Sequence, residues 1–191
     1  PVSVGRARPA CVRPLDLSPG DPVVEFGCGP VLNLPALRDV VGPTGRLVGV
    51  DVSPRMLDRA AGLVERRGWE NVALVEADAE RPPVGAADGV LATFVTSLFP
   101  DPYAVVSRWC ELSDTVVVAA FVPEGNRAAN VALRAFVALN GRLFDAGGDD
   151  PLGRLAERTD AARRALDDRA AVRERQQHLF GTIAVEAGRD G

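Results

Sequence analysis

The segment Val23-Val24-Glu25-Phe26-Gly27-Cys28-Gly29-Pro30, followed by Leu47-Val48-Gly49-Val50-Asp51, limits the possible folds of this chain more than any other feature. Each apolar run ends in an acid, and a Gly-x-Gly turn follows the first. A short β-branched run feeding into Gly-x-Gly predicts a strand whose backbone turns sharply at its carboxyl end. Missing side chains there let a ligand approach the main chain. An acid ending the neighbouring strand can accept two hydrogen bonds from a ribose. The chain between Glu25 and Asp51 is long enough for one crossover helix, so both acids are expected at one edge of a parallel sheet. The combination describes a cleft for a nucleotide-type cofactor.

Downstream, short β-branched runs alternate with helical patterns, which argues for an α/β fold. The spacing predicts strands at Val23–Phe26, Arg46–Val50, Val72–Val75, Val90–Thr93 and Thr115–Phe121, with a closing hairpin of Val172–Gln176 and Thr182–Ala187. The unbroken Val-Val-Val-Ala-Ala run of the fifth strand suits a sheet centre covered on both faces. Helices are expected after Asn33 as cap with Pro35 in the first turn, from Ser53-Pro54 to Arg67 with Gly68 as terminator, and over Tyr103–Leu112, Asn130–Phe144 and Leu152–Asp167. Leu15 to Asp21 reads as turn-rich.

Composition removes several function classes. The chain of 191 residues, 47% hydrophobic and 25% charged, is expected to form one globular domain with a packed core. All 22 basic residues are arginine. The absence of lysine excludes a pyridoxal-phosphate Schiff base and the lysine of a Walker phosphate loop. A net charge of −4, with arginines scattered among acids, argues against a nucleic-acid partner. Cys11, Cys28 and Cys110 are too far apart for a zinc ribbon and odd in number, so reduced thiols in the cytoplasm are expected and no metal site. The longest apolar runs, such as Val116 to Val122, fall far below the roughly 20 residues that span a bilayer, and no signal peptide is read at the start.

In order and at suitable spacing, three segments resemble motifs of the class I S-adenosylmethionine-dependent methyltransferases. They are Val-Val-Glu-Phe-Gly-Cys-Gly-Pro, Val-Gly-Val-Asp-Val-Ser-Pro-Arg-Met-Leu, and Asn-Val-Ala-Leu-Val-Glu-Ala-Asp-Ala. The likeness covers about Leu15 to Phe121, and the terminal part is loosely similar to members acting on quinones, phospholipids or other lipophilic acceptors. It implies a Rossmann-like, mostly parallel seven-stranded sheet of order 3-2-1-4-5-7-6, helices on both faces, and an antiparallel last strand in a C-terminal hairpin. It also implies methyl transfer from the cofactor S-adenosylmethionine. Carried over to this chain, Gly27, Cys28 and Gly29 border the methionine part, with Glu25 near its amino group, and Asp51 holds the ribose. Val52 and Met56 pack the adenine, Asp78 accepts from its amino group, the Ala79 amide faces a ring nitrogen, and Thr93 and Phe94 border the methyl group. The family's third glycine falls at Val31, which makes the turn bulkier. Related enzymes also carry a helical segment over the site ahead of the first strand, so a lid segment preceding Pro1 is expected.

The acceptor is expected to be small and apolar, walled by Phe94, Phe99, Phe121, Phe136 and Phe144, between Phe94–Tyr103 and Val122–Asp150. Asp101, Tyr103 and His178 are the candidate bases, although a sulfonium needs positioning more than proton transfer. Asp101-Pro102 reads equally as a helix start. Strand four, Leu91-Ala92-Thr93-Phe94-Val95, lacks the Asn/Asp-Pro-Pro-Tyr/Phe pattern of base-amino methylation. The Gly-x-Gly-x-x-Gly of a nicotinamide site fails at Leu32. A non-catalytic protein of the same fold, acting as a cofactor-binding or partner subunit, is the alternative reading.

Overall fold

A computed structural model describes residues 8–30, 32–139 and 150–190. Among them a seven-stranded sheet has the order β3-β2-β1-β4-β5-β7-β6. The strands are β1 (Pro22–Phe26), β2 (Arg46–Asp51), β3 (Val72–Glu76), β4 (Gly89–Thr93), β5 (Thr115–Phe121), β6 (Val172–His178) and β7 (Ile183–Arg189). The first five pair in parallel, and β7 runs antiparallel to both β5 and β6. The strand order and the reversed last strand are those implied by the resemblance.

Six helices accompany the described strands: α1 (Arg8–Val12), α2 (Leu34–Val41), α3 (Pro54–Arg67), α4 (Pro102–Cys110), α5 (Arg127–Leu139) and α6 (Pro151–Arg169). Helix α3 starts on Ser53-Pro54 and stops where Gly68, at φ 62°, takes the left-handed conformation that other residues adopt at a cost. Helix α4 begins at Asp101, whose carboxylate accepts from the Ala104 N–H at 3.0 Å. Helix α5 starts earlier than the Asn130 expected from sequence. Asn126 caps it by accepting from Ala129 N–H, while Asn130 turns back to donate to the carbonyls of Pro123 and Gly125. The later part of the predicted helix, with Phe144, lies outside the described residues. Ahead of the turn-rich Leu15–Asp21, helix α1 and the 3₁₀ turn Arg13–Leu15, not expected from sequence, form because Cys11, Val12 and Leu15 are buried against the sheet.

Strand alternation divides the core in two. Val23, Leu47, Leu91, Val117 and Ala119 face α1 and α2, whereas Val24, Phe26, Val50, Val90, Val116 and Val118 face α4 and α6. Trp109 anchors the second layer, stacked on Phe26 at 4.9 Å between ring centroids and edge-on to Phe99 at 5.8 Å. Strand β5 is buried along almost its whole length, as expected of a strand covered on both faces. The outer strand β6 carries Arg173, Glu174, Arg175, Gln176 and Gln177, a polar edge that discourages pairing with another sheet. The same alternation puts Glu25, Asp51 and Thr93 on the α2 side of the sheet, all at carboxyl ends of parallel strands.

Candidate active site

The Gly27-Cys28-Gly29 turn uses its two glycines differently. Gly27 sits at φ 64°, and a Cβ there would lie 2.7 Å from Val95 Cγ2, so the turn must press against the segment after β4. Gly29, at φ 54°, would place its Cβ in open space, with Gly27 O at 4.0 Å as the nearest contact. The missing side chain therefore leaves room in front of the main chain for a ligand. Between them Cys28 is buried, and its sulfur would lie 3.1 Å from a Cβ on Gly49, which explains the glycine inside β2. The Cys28 side chain thus serves packing, and only its backbone belongs to the turn. Val31 lies outside the described residues.

Asp51 ties this turn to its own strand end. One carboxylate oxygen accepts from Gly29 N–H at 2.8 Å and the other from Ser53 N–H at 2.9 Å. An ionised carboxylate offers about four acceptor sites, so capacity for a ribose diol remains. Beside it Val52 is 72% exposed, an apolar side chain unused by the core at the place where an adenine face is expected. Met56 is half-buried one helical turn into α3. Asp78 is exposed and closes its own turn by accepting from Glu80 N–H at 2.9 Å. Ala79 is buried, and its carbonyl accepts from Trp109 Nε1 at 3.0 Å, while Glu80 O accepts from Arg108. Helix α4 thereby holds the loop after β3.

Glu25 is enclosed, at 1% exposure, although the resemblance puts it near the amino group of the cofactor. Its Oε1 accepts from Asn33 Nδ2 at 2.6 Å, and the same nitrogen donates to Thr93 Oγ1 at 3.0 Å. Asn33 stands at the cap position of α2 as read from sequence, yet its side chain makes no capping bond. Sequence reasoning missed this second use. The signal available was an amide set between two strand ends that also carry polar groups.

Phe94 holds φ 60° immediately after β4, a conformation costing a non-glycine residue about 1–2 kcal/mol. Its N–H still reaches Ala119 O at 2.7 Å, and its ring stacks on Phe121 at 4.5 Å. Phe121 in turn meets Phe136 at 5.4 Å. This aromatic row leads into an apolar groove of about 390 Å³ lined by Phe121, Ala129, Leu133, Phe136, Leu179 and Thr182. Phe99, expected in the same wall, instead packs in the opposite layer against Trp109. The groove rim is braced where Glu124 accepts from Arg175 at 2.7 and 2.8 Å and also from Gln177. None of the three candidate bases is among the lining residues. Asp101 caps α4, and Tyr103 donates to Asp168 Oδ2 at 2.8 Å, a bond that raises its phenol pKa. His178 ends β6 directly before the lining Leu179, with Nε2 buried and without a hydrogen-bond partner among the described residues.

Residues 23–113 match the methyltransferase domain family. Over that span the chain is similar to methyltransferases. Nocamycin O-methyltransferase of Saccharothrix syringae is 36% identical over 110 residues, which cover 55% of this chain and 39% of that protein. Aklanonic acid methyltransferase of Streptomyces sp. (strain C5) is 30% identical over 97 residues, 50% of this chain and 44% of its own. The chain therefore spans less than half the length of these relatives. Magnesium protoporphyrin IX methyltransferase of Synechocystis, solved with S-adenosylmethionine bound, superposes with a TM-score of 0.67 at 18% identity, over 98% of this chain and 79% of that one. That likeness is one of fold. The open space at Gly29, the spare acceptor capacity of Asp51 and the exposed Val52 suit the class cofactor, S-adenosylmethionine.

The buried thiols of this domain give a pH test of its packing. Burial, with the nearby Glu25 charge adding to it, pushes the Cys11 thiol up to about 11, and burial pushes Cys110 to about 11 and Cys28 above its ordinary value. The folded domain keeps these protons where the unfolded chain, with thiols near 8.5, has released them. Their contribution is complete below the unfolded value and is lost as pH rises through about 11. Unfolding free energy should fall over this window by roughly 3 kcal/mol per thiol. Denaturant titrations of the Cys11→Ala/Cys110→Ala variant should show a shallower decline, and an equal decline would remove these thiols as its cause.

Proposed function

We propose that this domain transfers a methyl group from S-adenosylmethionine to a small apolar acceptor seated in the Phe121–Phe136 groove. The observation that carries the reading is the aromatic row from Phe94 through Phe121 to Phe136, which joins the cofactor cleft to that groove. The two relatives, both named as methyltransferases, support the activity. When bound, the cofactor supplies a methyl group already activated on a sulfonium. The protein's share is then to hold, orient and dry the reacting groups. Asp51 would hold the ribose, Val52 and Met56 the adenine, and Asp78 with the Ala79 amide the adenine edge. Gly27 and Gly29 would border the methionine part with Glu25 and Cys28 behind them, and Thr93 and Phe94 would border the methyl group. Leu133, Leu179 and Phe136 would exclude water around the acceptor. None of Asp101, Tyr103 and His178 lines the groove, so the reading rests on placing the acceptor against the sulfonium methyl and names no base. No helix among the described residues is long and apolar enough to cross a membrane. The buried free thiol of Cys28 supports a reducing, cytoplasmic setting.

Calorimetry with S-adenosylmethionine, S-adenosylhomocysteine and NAD should give binding for the first two alone. Methyl transfer should then be measured over quinone, phospholipid and phenolic acceptors. Phe136→Ala is expected to lower kcat/KM for the accepted compound about tenfold with the cofactor Kd unchanged, since Phe136 lines the groove and is not among the residues assigned to the cofactor. Cofactor binding with no transfer to any acceptor would favour the non-catalytic alternative.

A further inference from the structure

We infer that Glu25 acts on the cofactor cleft through Asn33 and Thr93, as a hydrogen-bonded relay whose solvent-facing member is Thr93. The inference rests on the reading of this cleft as the S-adenosylmethionine site. Glu25 and Asn33 are 1% and 4% exposed, whereas Thr93 is half-buried at the strand end. A carboxylate enclosed to that degree is poorly placed to meet a ligand's ammonium directly. What it can do is fix the amide that touches it.

The amide orientation follows from the acceptors. A carboxylate accepts and does not donate, so the Asn33 NH₂ group must face Glu25, and both of its hydrogens are then spent, one on Glu25 Oε1 and one on Thr93 Oγ1. With Oγ1 accepting from Asn33, the Thr93 hydroxyl keeps its own hydrogen to donate. Threonine is stiff at χ1, which fixes Oγ1, and the bond from Asn33 turns the hydroxyl hydrogen away from Asn33. The relay joins the enclosed Glu25 carboxyl, through Asn33, to a hydroxyl donor at the end of β4. Such a donor suits the carboxylate of an α-amino acid, the methionine end of the cofactor, which moves the Thr93 side chain's role from the methyl group to that end. Asn33 is thus a positioning residue, and Thr93 is the contact. The bridge also ties Glu25, which pairs with Leu91, to Thr93, one residue past the last β1–β4 pair of Phe26 and Ala92.

The test compares S-adenosylhomocysteine with 5′-methylthioadenosine, which keeps the nucleoside and lacks the amino-acid end. Asn33→Leu and Thr93→Val should each raise the Kd for S-adenosylhomocysteine about tenfold and change that for 5′-methylthioadenosine less than twofold. Thr93→Ser, which keeps the hydroxyl, should restore most of the loss. In the Asn33→Leu/Thr93→Val double variant the losses should not multiply, because both break one relay. Thermal melts identify any variant that fails to fold, and Thr93→Ser against Thr93→Val then carries the comparison. If Thr93→Val binds both ligands as the unsubstituted protein does, the relay is overturned. A protein that binds neither nucleoside before any substitution would instead overturn the cofactor reading beneath it.

Discussion

Asp51→Ala is expected to weaken binding of S-adenosylmethionine and S-adenosylhomocysteine by about 1.5–3 kcal/mol, roughly a 10- to 150-fold rise in Kd. Two contributions add. The variant removes the acceptor for the ribose hydroxyls, and it releases the Gly29 and Ser53 amides that the carboxylate holds at 2.8 and 2.9 Å. Asp51→Asn separates them, since the amide oxygen can still accept one bond while the NH₂ group faces the other donor. Asn is therefore expected to recover only part of the affinity. 5′-Methylthioadenosine should lose affinity to the same degree as S-adenosylhomocysteine, because both carry the ribose. This pattern is the opposite of that expected for Asn33 and Thr93. Isothermal titration of the three ligands measures it, and an unchanged Kd in Asp51→Ala would remove Asp51 from the ribose site.

Gly27→Ala is expected to cost about 2–4 kcal/mol of folding stability. The conformation at φ 64° contributes about 1–2 kcal/mol for a residue with a Cβ. The new methyl, 2.7 Å from Val95 Cγ2 and 2.9 Å from Val95 Cβ, adds an overpacking cost of similar size. The second part can be relieved. In Gly27→Ala/Val95→Ala the clash with Cγ2 is gone, so part of the loss should return while the backbone strain stays. Gly29→Ala should behave differently, with the strain alone, because its Cβ would enter open space. Urea titrations of the three variants read these differences directly. A Gly27→Ala protein as stable as Gly29→Ala would mean that the turn shifts away from Val95 at little cost.

Much of the architecture could be read from local signals, because those signals act over a few residues. Ser53-Pro54 and Gly68 bound α3, and the unbroken apolar run Thr115–Phe121 became a buried strand. The alternating acids of β1 and β2 reached one sheet edge because pleat and parallel pairing leave them no other choice. Asp51 was visible for the same reason: a strand-end acid beside a Gly-x-Gly turn has a use that depends on little beyond the two strands. Helix α1 was not visible, since a single short turn has weak intrinsic propensity and forms because Cys11, Val12 and Leu15 find the sheet.

The roles of single polar and aromatic residues depended on contacts between distant segments. Phe99 and Phe121 look equivalent in sequence, but strand direction and the turn after β4 send one to Trp109 and the other to Phe94 and Phe136. Tyr103 reads as a candidate base until α6 brings Asp168 to its hydroxyl. Asn33 reads as a helix cap until β4 supplies Thr93 and β1 supplies Glu25. Propensity, capping and alternation are properties of a window of chain, so the order of residues fixes them. Which buried donor meets which acceptor is decided only when separate windows close on one another, and that is where Glu25 became enclosed and joined through Asn33 to Thr93.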